Sequence, residues 1–390
     1  MNLLPVMART AFLFCLSFLL VPLLRDCRGA QISHPLYEED LDRAGSLLLA
    51  MKMDEADSLI DRWIERNPAR PAGYFFRAVA CSWRIFLQPE GSDSDALKGK
   101  FKEAVRDCCR VAEKVRSRNE SRFEGTLYLG AIYGQEALLA MIERKYLVMA
   151  PLAKRAWNTI EKALNIDPEY YDNYLGRGIY QYFTNVLPKM IKILALVYGF
   201  EGDREEGLEN IRLAAARGLY SRDASKIMLL NLYSVIETPD SSVREMARKL
   251  HEKYPDNPLI HWRYGDILLR LKEYQAAAEI FQQVAERIEN NYPFYRNKMF
   301  SRYSMTFRLG YCDSKTGKSA MALKRFDSIL ASSEVTPEWI LPATYLEKGR
   351  IHFRMGEKEQ ARQSLEAVLD YSDYRGGREQ ARQLLKKLGK

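Results

Sequence analysis

The chain has 390 residues, is 47% hydrophobic and 28% charged, and carries a formal charge of +8 at pH 7. This balance excludes an intrinsically disordered chain, and the length leaves two or three ordinary domains or one long solenoid. The basic excess favours solubility, with an anionic partner or surface as a second reading.

The chain opens on a short segment containing Arg9, followed by an apolar run from Ala11 to Leu24. This run of 14 residues is short of the ~20 that span a bilayer. Cys27 and Gly29 occupy the small-residue positions of a cleavage site before Ala30. Residues 1–29 are therefore expected to be a signal peptide for export, with an uncleaved membrane anchor as the alternative, because Arg25, Asp26 and Arg28 charge the cleavage region. No later apolar run is long enough to span a membrane.

From residue 37 onward the pattern is helical and periodic. Ala56, Ile60, Trp63 and Pro68 stand at offsets that recur in Ala156, Ile160, Ala163 and Pro168, and again in Val243, Ala247, Leu250 and Pro255. A small residue lets helices approach, apolar residues follow on the same face, and proline ends the unit. Three later sets repeat a companion spacing: Gly265, Ala277 and Phe281; Gly310, Ala322 and Phe326; Gly349, Ala361 and Leu365. Turn residues punctuate the series at Asn67-Pro68, Asp167-Pro168, Thr238 to Ser242, Asn257-Pro258 and Met355 to Lys358.

These residues resemble the tetratricopeptide repeat, a helix–turn–helix unit, with Leu129-Gly130, Leu175-Gly176 and Leu309-Gly310 matching its Leu-Gly dipeptide. The resemblance implies an all-α fold: a right-handed superhelical solenoid of about eight helical hairpins. Units fall at about 37–68, 71–117, 122–168, 169–220, 224–255, 258–291, 303–335 and 342–373, within a solenoid spanning 30–373, and a basic capping helix follows in 374–390. Units two to four carry extra residues, so longer helices or an added short one are expected there. A narrower resemblance covers Tyr174 to Leu208, where Gly176-Arg177-Gly178, Leu187-Pro188, Gly199-Phe200-Glu201-Gly202-Asp203-Arg204 and Gly207-Leu208 look like the central signature of the inclusion-body-clearance family of tetratricopeptide proteins. That family implies an interaction role.

Motifs for chemistry are missing. His34, His251, His261 and His352 lie outside helical reach of one another, and no His-Glu-x-x-His, P-loop or Gly-x-Ser-x-Gly occurs. Each histidine reads as a surface or packing residue. Gly176-x-Gly178 sits inside a helix and reads as a close helix contact, not a nucleotide loop. Asp203, Glu205 and Glu206 suit a helix start. Cys81, Cys108, Cys109 and Cys312 form no Cys-x-x-Cys pair, so no zinc site is expected. Cys81 faces Cys108 and Cys109 across one hairpin, either as a disulfide or as buried free thiols. Neither an enzyme nor a cofactor is expected.

The resemblance further implies that first helices line a concave groove. The mapped candidates are Tyr170, Asn173, Arg177 and Tyr180 in unit four, Trp262 and Asp266 in unit six, Phe307 and Tyr311 in unit seven, and Arg350 and Phe353 in unit eight. Aromatic anchors among polar groups suit a protein or peptide partner, although some of these aromatics are expected to pack between units. The fifth positions Leu41, Phe75, Leu127 and Asn173 lack the lysine of chaperone-tail binders. Arg106, Arg110, Lys114 and Arg118 recur every four residues as a basic stripe, either solvated or facing an anionic lipid, glycan or protein. The segment Leu187 to Phe200 is apolar apart from Lys189 and Lys192, and reads as a buried lid or an interfacial helix. The expected role is an exported scaffold, in the periplasm or cell envelope, that binds a protein segment; the alternative is a membrane-peripheral protein. Nucleic acid is not expected, since aromatic–basic alternation is missing.

Overall fold

The computed structural model describes residues 34–89, 92–186, 199, 201–296, 301–335 and 337–389. The expected signal peptide at 1–29 and all of the apolar segment 187–200 except Gly199 lie outside the described residues.

The described residues form seventeen α-helices and no strand. They pair into hairpins. The first three are α1 (Glu39–Leu49) with α2 (Met53–Arg66), α3 (Ala72–Leu87) with α4 (Asp95–Arg116), and α5 (Arg122–Ile142) with α6 (Tyr146–Ile166). Then come α7 (Asn173–Val186) with α8 (Arg204–Arg217), α9 (Arg222–Val235) with α10 (Ser241–Lys253), and α11 (Pro258–Arg270) with α12 (Tyr274–Glu289). The last two are α13 (Arg302–Lys315) with α14 (Ser319–Leu330) and α15 (Ile340–Met355) with α16 (Lys358–Ala367), followed by the single helix α17 (Gly377–Leu388). The extra residues of units two and three go into longer helices: α4 has 22 residues, and α5 and α6 have 21 each.

Local chemistry sets the helix ends. Asp240 accepts from the amides of Ser242 and Val243, Asp203 from Glu206, and Ser301 from Ser304, each satisfying orphan N–H groups of a first turn. Asn257 does the same for Leu259 and Ile260, with Pro258 at the first helical position. The small residues of the recurrent sets mark where a partner ring or side chain occupies the missing Cβ space. A Cβ on Gly265 would lie 2.5 Å from Phe281, one on Gly310 2.7 Å from Phe326, and one on Gly349 2.7 Å from Leu365.

The two helices of a hairpin play unequal parts. First helices touch the first helix of the next unit at α1–α3, α3–α5, α5–α7, α9–α11 and α13–α15, whereas successive second helices make no comparable contact. The stack is therefore tighter on the first-helix side, which curves it. In unit five, twelve of the 14 residues of α9 are buried but only three of the 13 in α10, so there the second helix commits one face and the first helix nearly all of its surface.

The amino-terminal unit also reaches far along the chain. The His34 imidazole meets Asp167 at 3.2 Å and packs on Tyr170. The Tyr220 hydroxyl donates to the Leu36 carbonyl at 2.8 Å and accepts from the Glu38 amide at 2.5 Å, while Tyr37 stacks on the Tyr220 ring. At the other end of α1, the Asn257 amide donates to the Leu49 carbonyl at 2.9 Å. Residues 34–49 thus strap the ends of units three, four and five. Among the described residues, one apolar core runs from Leu41 to Cys312, and two smaller cores hold the last two units and α17. Asn257 serves both as the α11 cap and as the strap tie. Asn257→Ala is expected to cost about 2 kcal/mol in urea unfolding, with amide exchange rising at 46–52 and 257–262 and unchanged in α15.

Candidate functional site

The inward candidates fall into two groups. In unit four, Asn173 is buried beside a void of about 30 Å³ shared with Phe76, Tyr128, Tyr170, Asp172 and Tyr220. That volume suits one or two waters and no larger ligand. Its neighbour Asp172 accepts from the amides of Tyr220 and Ser221 at 2.9 and 2.6 Å, and burial raises its pKa. Tyr170 is also buried. Arg177 sits between Glu161 (3.2 Å) and Glu206 (3.6 Å), tying unit three to unit four. Tyr180 stacks on Trp157 with centroids 4.2 Å apart, and burial raises its hydroxyl pKa. These side chains are joints between units. The strap covers Tyr170, whereas Glu161, Glu206 and Trp157 hold Arg177 and Tyr180, so among the described residues the first-helix face of unit four is occupied by the chain's own side chains.

Trp262 is likewise interior, only 4% exposed. The Arg263 and Arg308 guanidinium groups lie 4.7 and 4.8 Å from its ring centroid. Asp266 holds both arginines, at 3.1 and 2.8 Å. Phe307 meets Trp339 edge-on at 5.5 Å, and Trp339 stacks on Tyr374 from the turn before α17. The charge of Arg375, in the turn before α17, adds to burial in lowering the Arg270 pKa in unit six. Tyr311 is half-buried, 6.4 Å from the Tyr274 ring, and burial pushes its hydroxyl up to about 12. The structure thus brings Trp262, Asp266 and Phe307 into one cluster that locks units six to eight, with no open face on the tryptophan.

The second group opens outward. Arg350, Phe353 and Arg354 on α15 face Gln380, Gln383, Leu384 and Lys387 on α17 across a cleft of about 320 Å³. Arg350 is held between the Glu347 carboxylate and the Gln380 amide oxygen. The helix pattern marked Arg350 and Phe353. It carried no signal for the opposite wall, because the angle at which a capping helix docks is not written in its periodicity.

The basic stripe is shorter than its spacing implies. Arg106, Arg110 and Lys114 are exposed on α4, and Arg110 pairs with Asp107 at 3.0 Å. The helix ends at Arg116, so Arg118 leaves the row with extended backbone dihedrals. Sequence spacing also missed the meeting of His251 and His261, whose rings stack with centroids 4.6 Å apart across units five and six. Burial lowers both pKa values, that of His261 to about 3, so both rings are neutral at pH 7. No group of three metal-ligating side chains occurs among the described residues, and no described helix is long and apolar enough to cross a membrane.

The four described cysteines are free thiols. Burial drives Cys81 and Cys109 up to about 11 and Cys312 to about 12, and it raises Cys108 well above the ordinary thiol value. Native protein at pH 8 is therefore expected to react with a disulfide reagent at these four positions at least about a hundredfold slower than an exposed cysteine. A fast thiol mapped to any of them by mass spectrometry would contradict the packing.

Two family models match parts of the chain. Residues 173–314 match the family Iml2/Tetratricopeptide repeat protein 39, and residues 342–373 match the family Tetratricopeptide repeat. No curated protein matches the chain. Among solved structures, the chain is similar to the human IFIT1 dimer with PPP-AAAA, at 16% identity and a TM-score of 0.41, covering 91% of this chain and 82% of that one. It is also similar to the P58(IPK) TPR domain, at 14% identity and a TM-score of 0.26, covering 90% and 96%. The described residues thus form an all-α solenoid of eight stacked hairpins, in which residues 173–314 resemble the Iml2/Tetratricopeptide repeat protein 39 family and residues 342–373 the tetratricopeptide repeat.

Proposed function

We propose that the chain is an exported, non-enzymatic scaffold of the periplasm or cell envelope that binds a protein segment on the first-helix side of its solenoid. Tetratricopeptide repeats are a protein-interaction architecture, which supports the scaffold role. The observation that carries the reading is the contrast along the inner face: units four to six are filled by their own packing, while Arg350, Phe353 and Tyr311 remain half-exposed at the carboxy-terminal end. Export rests on the apolar run Ala11 to Leu24 and the small residues Cys27 and Gly29. The test is affinity purification of a carboxy-terminally tagged full chain from its native cells after crosslinking. A retained partner protein, crosslinked to Lys315 or Lys348, with a mature amino terminus at Ala30, is the expected result. An uncleaved chain with no retained protein would overturn it.

A membrane-peripheral role is the second reading. It is favoured by Leu147, 73% exposed, and Val148, 51% exposed, beside exposed Arg144 and Lys145 at the start of α6. Flotation with anionic liposomes, abolished by Leu147→Ser with Val148→Ser, would support it.

A further inference from the structure

We propose that the cleft between α15 and α17 is a binding site for an acidic protein segment that carries an apolar side chain between its carboxylates. The inference rests on the scaffold reading only in taking the occupant to be a protein. Three cations surround the cleft: Arg350 and Arg354 one helical turn apart, about 6 Å along α15, and Lys387 on the opposite wall. Arg350 is fixed in place by Glu347 and Gln380. Arg354 donates to the Ser314 hydroxyl at 2.9 Å, and neither it nor Lys387 is paired with a carboxylate among the described residues. Both are exposed. Of the acids nearby, Glu347 is paired with Arg350 and Lys315, while Glu379 keeps its charge, accepts from the Gln383 amide at 3.0 Å and does not line the cleft. Two unmatched positive charges thus remain at the rim of the cleft.

Half-buried Phe353 and Leu384 supply the apolar part of an otherwise polar lining. A phosphate backbone would leave that apolar part uncovered, and a lipid surface cannot reach into a cleft of about 320 Å³ between two helices. Two carboxylates flanking one aliphatic side chain satisfy both the rim and the apolar part. The volume lies at the lower end of pockets that hold small ligands, consistent with a few side chains of a longer segment.

The test is fluorescence anisotropy of the full chain with a labelled peptide of alternating glutamate and leucine, and with its glutamine counterpart. The acidic peptide is expected to bind, to weaken as salt is raised, and to lose about tenfold or more in affinity on Arg354→Ala with Lys387→Ala. Both residues are exposed, so the fold is retained. Removing the same charge elsewhere, by Arg110→Ala with Lys114→Ala, is expected to change affinity by less than about twofold. Leu384→Ala should weaken the leucine-containing peptide and leave a serine-containing one unchanged. Equal losses from both charge pairs, tighter binding of the glutamine peptide, or a preference for oligothymidylate or phosphatidylserine vesicles with the same residue dependence would overturn the proposal. If a partner is retained in cells by the Arg354→Ala/Lys387→Ala variant as well as by the parent, the scaffold stands and the cleft assignment falls. If the peptide binds here but no protein is retained in cells, the cleft chemistry stands and the scaffold role falls.

Discussion

Gly178→Val is expected to destabilise the protein by about 3 kcal/mol or more, at or beyond the upper end of overpacking costs. A Cβ on Gly178 would lie 2.6 Å from the Gly207 carbonyl oxygen and 2.9 Å from the Ile211 amide nitrogen. From the other side, a Cβ on Gly207 would lie 2.5 Å from the Tyr182 nitrogen. The obstructing atoms are backbone of α7 and α8, which cannot rotate away as a side-chain tip can. The two helices would have to part, and with them the Arg177 bridge from Glu161 to Glu206. Gly99 provides the control. It lies in α4, where an added Cβ would meet nothing within 4 Å, so Gly99→Ala should gain roughly 0.5–1 kcal/mol from the unfolded state. Urea unfolding of the two variants checks both signs, and a Gly178→Val protein as stable as the parent would refute the close crossing.

The second large effect concerns the strap and pH. Asp42 on α1 is 6% exposed, and burial raises its pKa to about 7. Its Tyr37 hydrogen bond, Lys253 and Arg222 pull the other way, and Asp223 pushes up. Asp223 itself is the better-served partner. It takes Lys226 at 2.9 Å, Lys253 at 2.7 Å and the Tyr254 hydroxyl at 2.8 Å, and its pKa is lowered by these cations despite burial. The two acids therefore act in opposite senses. Between about pH 4 and 7 the folded chain keeps a proton on Asp42 that the unfolded chain has released, so stability falls as pH rises through that window and levels off above it. Asp223 contributes stability above the usual carboxylate range that is lost as pH falls through its lowered folded pKa. Asp42→Asn removes the first effect. It is expected to stabilise the protein at pH 8 by on the order of 3 kcal/mol, with little change at pH 4. Urea unfolding of parent and variant across pH 4–8 measures this directly. Parallel curves would show that Asp42 does not titrate at the strap.

Much of the fold was legible because a solenoid writes nearest-neighbour contacts into its period. The offset of 16 from Gly265 to Phe281 recurs at Gly310 to Phe326 and Gly349 to Leu365, and in each pair the large side chain fills the space a Cβ would take. Gly178 inside a helical pattern implied a close crossing for the same reason. The strap was not legible. Leu49 to Asn257 and Leu36 to Tyr220 are contacts across about half the chain, and they depend on the superhelical pitch, which no repeat spacing encodes.

The inner-face candidates divided for a related reason. An aromatic at a first-helix position reads the same whether it meets a partner or its own neighbours. Trp262 became interior because Arg308, from the next unit, closes over it and shares Asp266 with Arg263. Phe353 stayed half-exposed because α17 docks beside α15 with an open cleft between them. The stacked His251–His261 pair and the Lys387 wall of the cleft likewise arise from docking angles between helices. No short-range pattern in the chain announces them.

The central claim is that a protein segment is recognised on the first-helix side, toward the carboxy-terminal end. Site-specific photocrosslinking in native cells tests it most directly, with the reactive side chain placed at Tyr311 or Phe353 and, as the outer-face comparison, at Lys102 on α4. A discrete crosslinked protein from Tyr311 and Phe353, and none from Lys102, is the predicted result. Crosslinks from Lys102 alone would contradict the account.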